Sequence, residues 1–146
     1  MTVMVRQVDA AIIRSLRNRV LRPDQPDKTW PYDTDPHAVH LAAYLDERLV
    51  GCATIFPSPY EELPIAWQLR GMAVDPDVQG HGIGRQLLEA AVGIAAAAGA
   101  PLMWAYGRIS ALGFYQRLGW EAVGDEFVHA DSGLPHRIIR LPISPG

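Results

Sequence analysis

The stretch Val74-Asp75-Pro76-Asp77-Val78-Gln79-Gly80-His81-Gly82-Ile83-Gly84-Arg85 decides how this chain is read. It leaves a β-rich run, residues 67–74, and enters an apolar run of helical period. Glycines at 80, 82 and 84 let successive backbone N–H groups converge with no Cβ between them. A helix entrance adds unpaired N–H groups and the positive end of the dipole, so the turn suits an anion. Arg85 adds a fixed positive charge for a phosphate oxygen. Two familiar phosphate motifs fail here. A P-loop requires Lys and then Ser or Thr after the last glycine, and Gly84 is followed by Arg85 and Gln86. A dinucleotide fingerprint requires G-x-G-x-x-G and a carboxylate closing the next strand, and residues 102–106 end without one. A glycine-rich connection with no ligand remains the plain alternative.

Outward from this turn, the helix is expected over about residues 83–98. Its inner stripe is Ile83, Leu87, Ala90, Ala91, Ile94 and Ala98, stopped by Gly99 and Pro101. Upstream, residues 3–8 read as a strand and residues from Asp9 to about Leu21 as a helix with Ile12, Ile13, Leu16 and Val20 on its stripe. Four prolines between residues 22 and 36 exclude a regular element, and loops of that length are usually functional. Runs 37–45 and 48–56 form a hairpin across Asp46-Glu47. Gly71, in the middle of run 67–74, marks a bulge or a close approach. A strand at 102–106, a short helix capped by Ser110 and closed by Gly119, and strands at 121–128 and 136–141 complete the order. The pattern β-α-β-β-β-α-β-α-β-β describes one α/β domain over residues 1–146, a mixed sheet with helices on its faces.

Composition narrows the function classes. Hydrophobic residues make up 49% of the 146 and charged residues 20%, an ordinary globular balance. A net charge of −3 argues against a nucleic-acid footprint. No apolar stretch reaches the ~20 residues of a membrane span, and residues 1–6 hold no signal-peptide core. The one cysteine, Cys52, excludes an internal disulfide and reads as core, so a cytoplasmic location is expected. No metal is expected. His37 and His40 fall on opposite strand faces, and His129, Asp131 and His136 lack a supporting ligand set.

The turn and a second block resemble the GNAT (Gcn5-related N-acetyltransferase) superfamily. Gln79, Gly82 and Gly84 satisfy its acetyl-CoA signature [QR]-x-x-G-x-[GA], after Val74-Asp75-Pro76 as the usual V-x-P. Ala111, Phe114, Tyr115, Gly119 and Trp120 are similar to its A-x-x-F-Y-x-x-x-G-[FW] pattern. Gly133-Leu134-Pro135-His136 is similar to G-[IL]-P-H in a branch of acyltransferases of unassigned substrate. Where the family often carries Asn-Ala-Arg, this chain reads Tyr106-Gly107-Arg108.

The resemblance implies a mostly antiparallel sheet with helices on both faces and an acyl-CoA cleft between two splayed parallel strands. It implies transfer of an acetyl group from acetyl-CoA to a primary amine, by direct attack with both substrates bound. The coenzyme would be held by Gln79, Gly80, His81, Gly82, Ile83, Gly84 and Arg85, and by main-chain groups of Met72, Ala73 and Val74. Tyr115 would be the general acid, although its place on the apolar face of Ala111, Phe114 and Leu118 also fits core. His136 leads as general base, with Glu61 and Glu62 as alternatives. Arg70 either attracts an acidic group on the acceptor or pairs across the sheet. Trp30 and Tyr32 either cover the acceptor as a lid or anchor their loop. The expected partner is a small-molecule amine, with no nucleic acid and no membrane. The C-terminal strands either close on their own sheet or pair across a homodimer. A non-catalytic acyl-CoA-binding domain is the competing reading, and a tRNA-directed activity is disfavoured by the acidic balance.

Overall fold

Alternation of apolar and polar residues builds the sheet edges, and apolar runs build its centre. The computed structural model describes residues 2–144. Seven strands, β1 (Val3–Val8), β2 (Val39–Leu45), β3 (Arg48–Pro57), β4 (Trp67–Val74), β5 (Leu102–Arg108), β6 (Glu121–Val128) and β7 (Pro135–Pro142), form one sheet in the order β1-β2-β3-β4-β5-β7-β6. Every neighbouring pair is antiparallel except β4 and β5. The C-terminal strands therefore close on their own sheet, with β7 between β5 and β6.

Helix α1 (Ala10–Leu21) covers one face and α2 (Ile83–Ala97) the other, each over its own buried cluster, and a third, smaller cluster gathers Tyr60, Ala66, Leu102 and Trp104. Strand β2 shows the division. Leu41, Ala43 and Leu45 join Ile83, Leu87 and Ala91 on the α2 side, while Ala42 joins Ile13 and Leu16 on the α1 side. The stripe of α2 is rotated from the expected one. Leu88 and Ala95 are buried and Ala98 is exposed, because the helix ends at Ala97. Gly51 lets α2 approach closely, since a Cβ there would stand 2.9 Å from Leu87 Cδ1.

Asp46 and Glu47 both take positive φ (49° and 76°), the twist a two-residue hairpin turn needs, although neither is the usual Asn or Gly. The proline-rich connection contains one 3-10 turn, Pro31–Asp33. Helix α3 (Leu112–Arg117) follows a 3-10 turn at Ile109–Ala111. Ser110 lies inside that turn and is not a cap, because the N-cap position falls on Ala111 and carries no side-chain bond.

The parallel pair positions the site. Its register runs Trp67–Met103, Gln68–Trp104, Leu69–Ala105 and stops there. Beyond Leu69, β4 stays bonded to β3, while β5 is paired along its whole length with β7. The two strands diverge, and the β5-side edge of β4 has no strand partner from Arg70 onward. Gly71 sits at the point of divergence with φ +62°, opposite a register shift between Cys52 and Thr54. A Cβ on Gly71 would meet Arg17 Cδ at 3.1 Å. Backbone conformation and packing both select glycine there.

Candidate active site

Past its 3-10 turn (Pro76–Val78), β4 hands the chain to α2 through the glycine turn. Gly80 (φ +91°) and Gly82 (φ +74°) adopt the left-handed conformation, and Gly82 is the N-cap of α2. The first helical bond runs from Gln86 N–H to Gly82 O (3.1 Å), so the N–H groups of Ile83, Gly84 and Arg85 have no helical acceptor. A Cβ built on Gly80 or Gly82 would meet nothing within 4 Å, so the space beside these amides is open. Gln79, Gly80, His81 and Gly82 are exposed, whereas the Ile83 side chain is buried in the core and presents only its main chain. Arg85 lies on the outer face of α2 and pairs with Glu89 at 2.8 Å. Bare amides beside an open, left-handed cradle fit a diphosphate.

Gly84 makes a second kind of contact. A Cβ there would lie 3.2 Å from Phe114 Cζ and 3.7 Å from Val74 Cγ2. The start of α2 thus packs against α3 through the residue before Tyr115.

Where β4 and β5 diverge, a cavity of about 150 Å³ opens. Leu69, Arg70, Gly71 and Met72 line it from β4, and Ala105, Tyr106 and Arg108 from β5. Leu21 and Arg22 enter from the end of α1, Trp30 and Tyr32 from the proline-rich connection, Ala111 and Tyr115 from the third-helix region, and His129 and His136 from the β6–β7 hairpin. Ala73 is buried against α1, and only its main chain faces the open strand edge.

Trp30 and Tyr32 do not form a lid. They are 8% and 6% exposed, and they stack on each other (6.0 Å) with Tyr32 on Phe56 (5.4 Å). The loop is tied down from beneath: Arg17 grips Asp33 through two bonds of 2.6 and 3.0 Å and lies over the Trp30 ring at 4.3 Å. These aromatics are a fixed wall. Arg70 lies between the Tyr32 and Tyr106 rings, 5.6 and 5.4 Å from their centroids, and meets Asp131 at 3.7 Å. Glu61 and Glu62 are exposed and take no part in the cavity.

Tyr115 packs edge-on against Phe114 (5.2 Å) and Trp120 (5.5 Å). Burial pushes its hydroxyl up to about 12, against the pull of Arg108, so it keeps its proton throughout the physiological range. His136 Nδ1 donates to Leu134 O at 2.8 Å. That bond leaves Nε2 bare in the neutral ring. Burial lowers the pKa of His136. The Leu134 bond opposes the shift, and Arg108, Arg22 and Arg70 reinforce it.

His129 is the reverse case. Its Nδ1 accepts from the Asp131 N–H at 3.3 Å, which puts the proton on Nε2. Burial, then Arg70 and His136, lower its pKa. The two rings stand 5.3 Å apart because the hairpin turn pairs His129 N–H with Leu134 O. In the sequence His129 stands out only as a candidate metal ligand. Among the described residues, no group of three His, Cys, Asp or Glu is arranged to hold a metal. Cys52 is fully buried beneath Gly71, and burial pushes its thiol up to about 12.

The fold thus brings together a splayed parallel pair, a turn of bare amides and a cavity lined by a tyrosine and two histidines. A sequence model of the acetyltransferase (GNAT) family matches residues 7–120, and the chain belongs to that family. It is 32% identical over 117 residues to the uncharacterized N-acetyltransferase YitI of Bacillus subtilis, covering 77% of this chain and 78% of the relative. Its fold is shared with an acyl-CoA N-acyltransferase from Pseudomonas aeruginosa (TM-score 0.76, 19% identity, 95% and 99% of the two chains). It is shared equally with an aminoglycoside 6'-N-acetyltransferase complexed with coenzyme A (TM-score 0.74, 16% identity, 98% of each chain). Family members use acetyl-CoA, and the mixed, mostly antiparallel sheet is that of the family.

Proposed function

We propose that residues 1–146 work as a single cytoplasmic domain that moves an acetyl group from acetyl-CoA to the primary amine of a small molecule, in one step with both substrates bound. The observation that carries this reading is the cavity at the strand divergence, where a protonated hydroxyl and an unprotonated imidazole nitrogen line one space. Acetyl-CoA supplies an activated acyl group on a thiol leaving group. The turn at residues 79–85 would hold its pyrophosphate on main-chain N–H groups. The unpaired edge of Met72, Ala73 and Val74 would bond its amide-bearing arm, and N–H groups near Gly71 would face the developing oxyanion.

His136 Nε2 takes a proton from the acceptor ammonium, directly or through a water. Tyr115 gives its proton to the departing sulfur. Its high pKa keeps it a hydrogen-bond donor at every working pH; as the C–S bond breaks the new amide nitrogen sheds its remaining extra proton, and that proton, relayed by water, restores the phenol. Direct transfer is favoured because Cys52 is buried, and a thiol held near 12 is a poor nucleophile.

Release of free thiol from acetyl-CoA in the presence of an amine panel tests the reading. We expect amine-dependent release, and a fall in kcat of about 10²-fold in Tyr115→Phe with coenzyme affinity retained. Tight coenzyme binding with no amine-dependent thiol would instead establish a non-catalytic acyl-CoA-binding domain. An unchanged rate in Tyr115→Phe would remove the tyrosine from its role.

A further inference from the structure

The cavity is strongly one-signed. Three guanidinium groups line it, from Arg22, Arg70 and Arg108, and no Asp or Glu does. Elsewhere in the molecule carboxylates are taken by other arginines: Asp33 by Arg17, Asp75 by Arg19 and Arg48, Glu89 by Arg85. Among the described residues, neither Arg22 nor Arg108 has a carboxylate within 4.0 Å. Arg70 has only Asp131, at 3.7 Å and 41% exposed. Arg22 Nη1 donates to Leu21 O at 2.7 Å, but its Nε is buried with no partner. A buried donor left without an acceptor is costly, and a guanidinium is shaped to grip a carboxylate with two parallel bonds.

A purely cationic amine entering this space would meet three like charges. An acceptor that carries an anion with its amine would not. We propose that the acceptor is an amino carboxylate, whose carboxylate is bound by Arg22, Arg70 and Arg108 while its amine faces His136. The inference rests on the N-acetyltransfer reading and names the substrate class of that site. The arginines then do two things. They anchor the carboxylate, and their field disfavours the ammonium form of the attacking amine, which favours its neutral, nucleophilic form.

Matched pairs test this: β-alanine, 4-aminobutyrate and L-phenylalanine, each against its carboxamide. Thiol release gives kcat/KM, and calorimetry on the CoA-saturated protein gives binding independently of turnover. We expect at least one free carboxylate to exceed its carboxamide by about 10-fold or more. Arg22→Gln and Arg108→Gln should erase that preference through KM, with CoA affinity unchanged. Arg108→Lys, which keeps the charge, should restore part of it, and a melting curve confirms that each variant is folded.

Carboxamides or diamines used as well as the carboxylates would overturn the inference while leaving N-acetyltransfer intact. So would an Arg108→Gln protein that loses CoA affinity and keeps its acceptor preference, because the arginines would then serve the coenzyme. Should no amine release thiol, the transfer reading falls. Calorimetry then decides the carboxylate site alone: carboxylate binding that Arg108→Gln abolishes upholds the arginine site as a ligand site, and no carboxylate binding overturns it.

Discussion

Replacing Asp33 by Ala is expected to lower the melting temperature by about 6–20 °C. Both side chains of the Arg17–Asp33 pair are out of solvent, 0% and 1% exposed. Asp33 accepts both Arg17 bonds and, on Oδ2, the Trp30 N–H at 3.0 Å. Removing the carboxylate leaves a guanidinium buried without its counter-charge, a loss of about 3–5 kcal/mol. A domain near this size shifts by ~2–4 °C per kcal/mol, which gives the stated range. Calorimetric melts of wild type and variant at pH 7 supply the measurement. The double variant Arg17→Met, Asp33→Ala should lose less than the sum of the single losses, because the stranded charge is gone.

The pH dependence has a defined sign. Burial alone would raise the Asp33 pKa, but the bonds from Arg17 and the Trp30 N–H hold it below the ordinary carboxylate value. A folded pKa below the unfolded one means the contribution is complete above the unfolded value, ~3.9, and fades as pH falls through the folded value. The gap between wild type and variant should therefore stay constant down to about pH 5 and narrow below about pH 4. A melting shift under ~2 °C, or strict additivity in the double variant, would refute the buried-pair account.

Gly82→Val should abolish coenzyme binding. Its φ of +74° strains any β-branched residue, and the side chain would fill the open cradle beside the bare amides; calorimetry with CoA showing unaltered affinity would move the pyrophosphate elsewhere. His136→Gln should lower kcat by about 10²-fold or more and remove the acid limb of the rate profile. Because burial lowers the His136 pKa, that limb should lie below the ordinary histidine value of ~6.5 in wild type. Its survival in the variant would assign it to the acceptor or to His129.

Local pattern made much of the framework legible. Strand β4 runs over the expected residues with its glycine at the bulge, and α2 starts at the residue the glycine turn indicates. These depend on neighbours in sequence. The cavity does not. Arg22 ends a helix, Arg108 ends a strand and His129 begins a hairpin turn, and only the divergence of β4 from β5 gives them a common space. Nothing in the spacing of residues 22, 108 and 129 encodes that meeting. For Trp30 and Tyr32 the sequence leaves lid and loop anchor both open, because what ties the loop down is an Arg17–Asp33 pair sixteen residues apart. Ser110 differs from its expected role for the opposite reason: a strong local cap signal is overridden by a turn that begins one residue earlier.

The near-contact of Gly84 with Phe114 bears on timing within a catalytic cycle. With only 3.2 Å available where a methyl would go, the helix proposed to hold the diphosphate and the helix that carries the phenol behave as two parts set by one shim. Seating the nucleotide end would then fix the height of the hydroxyl over the thioester, some distance away, with no separate rearrangement. A larger residue at 84 would detune that alignment even while the anion still bound.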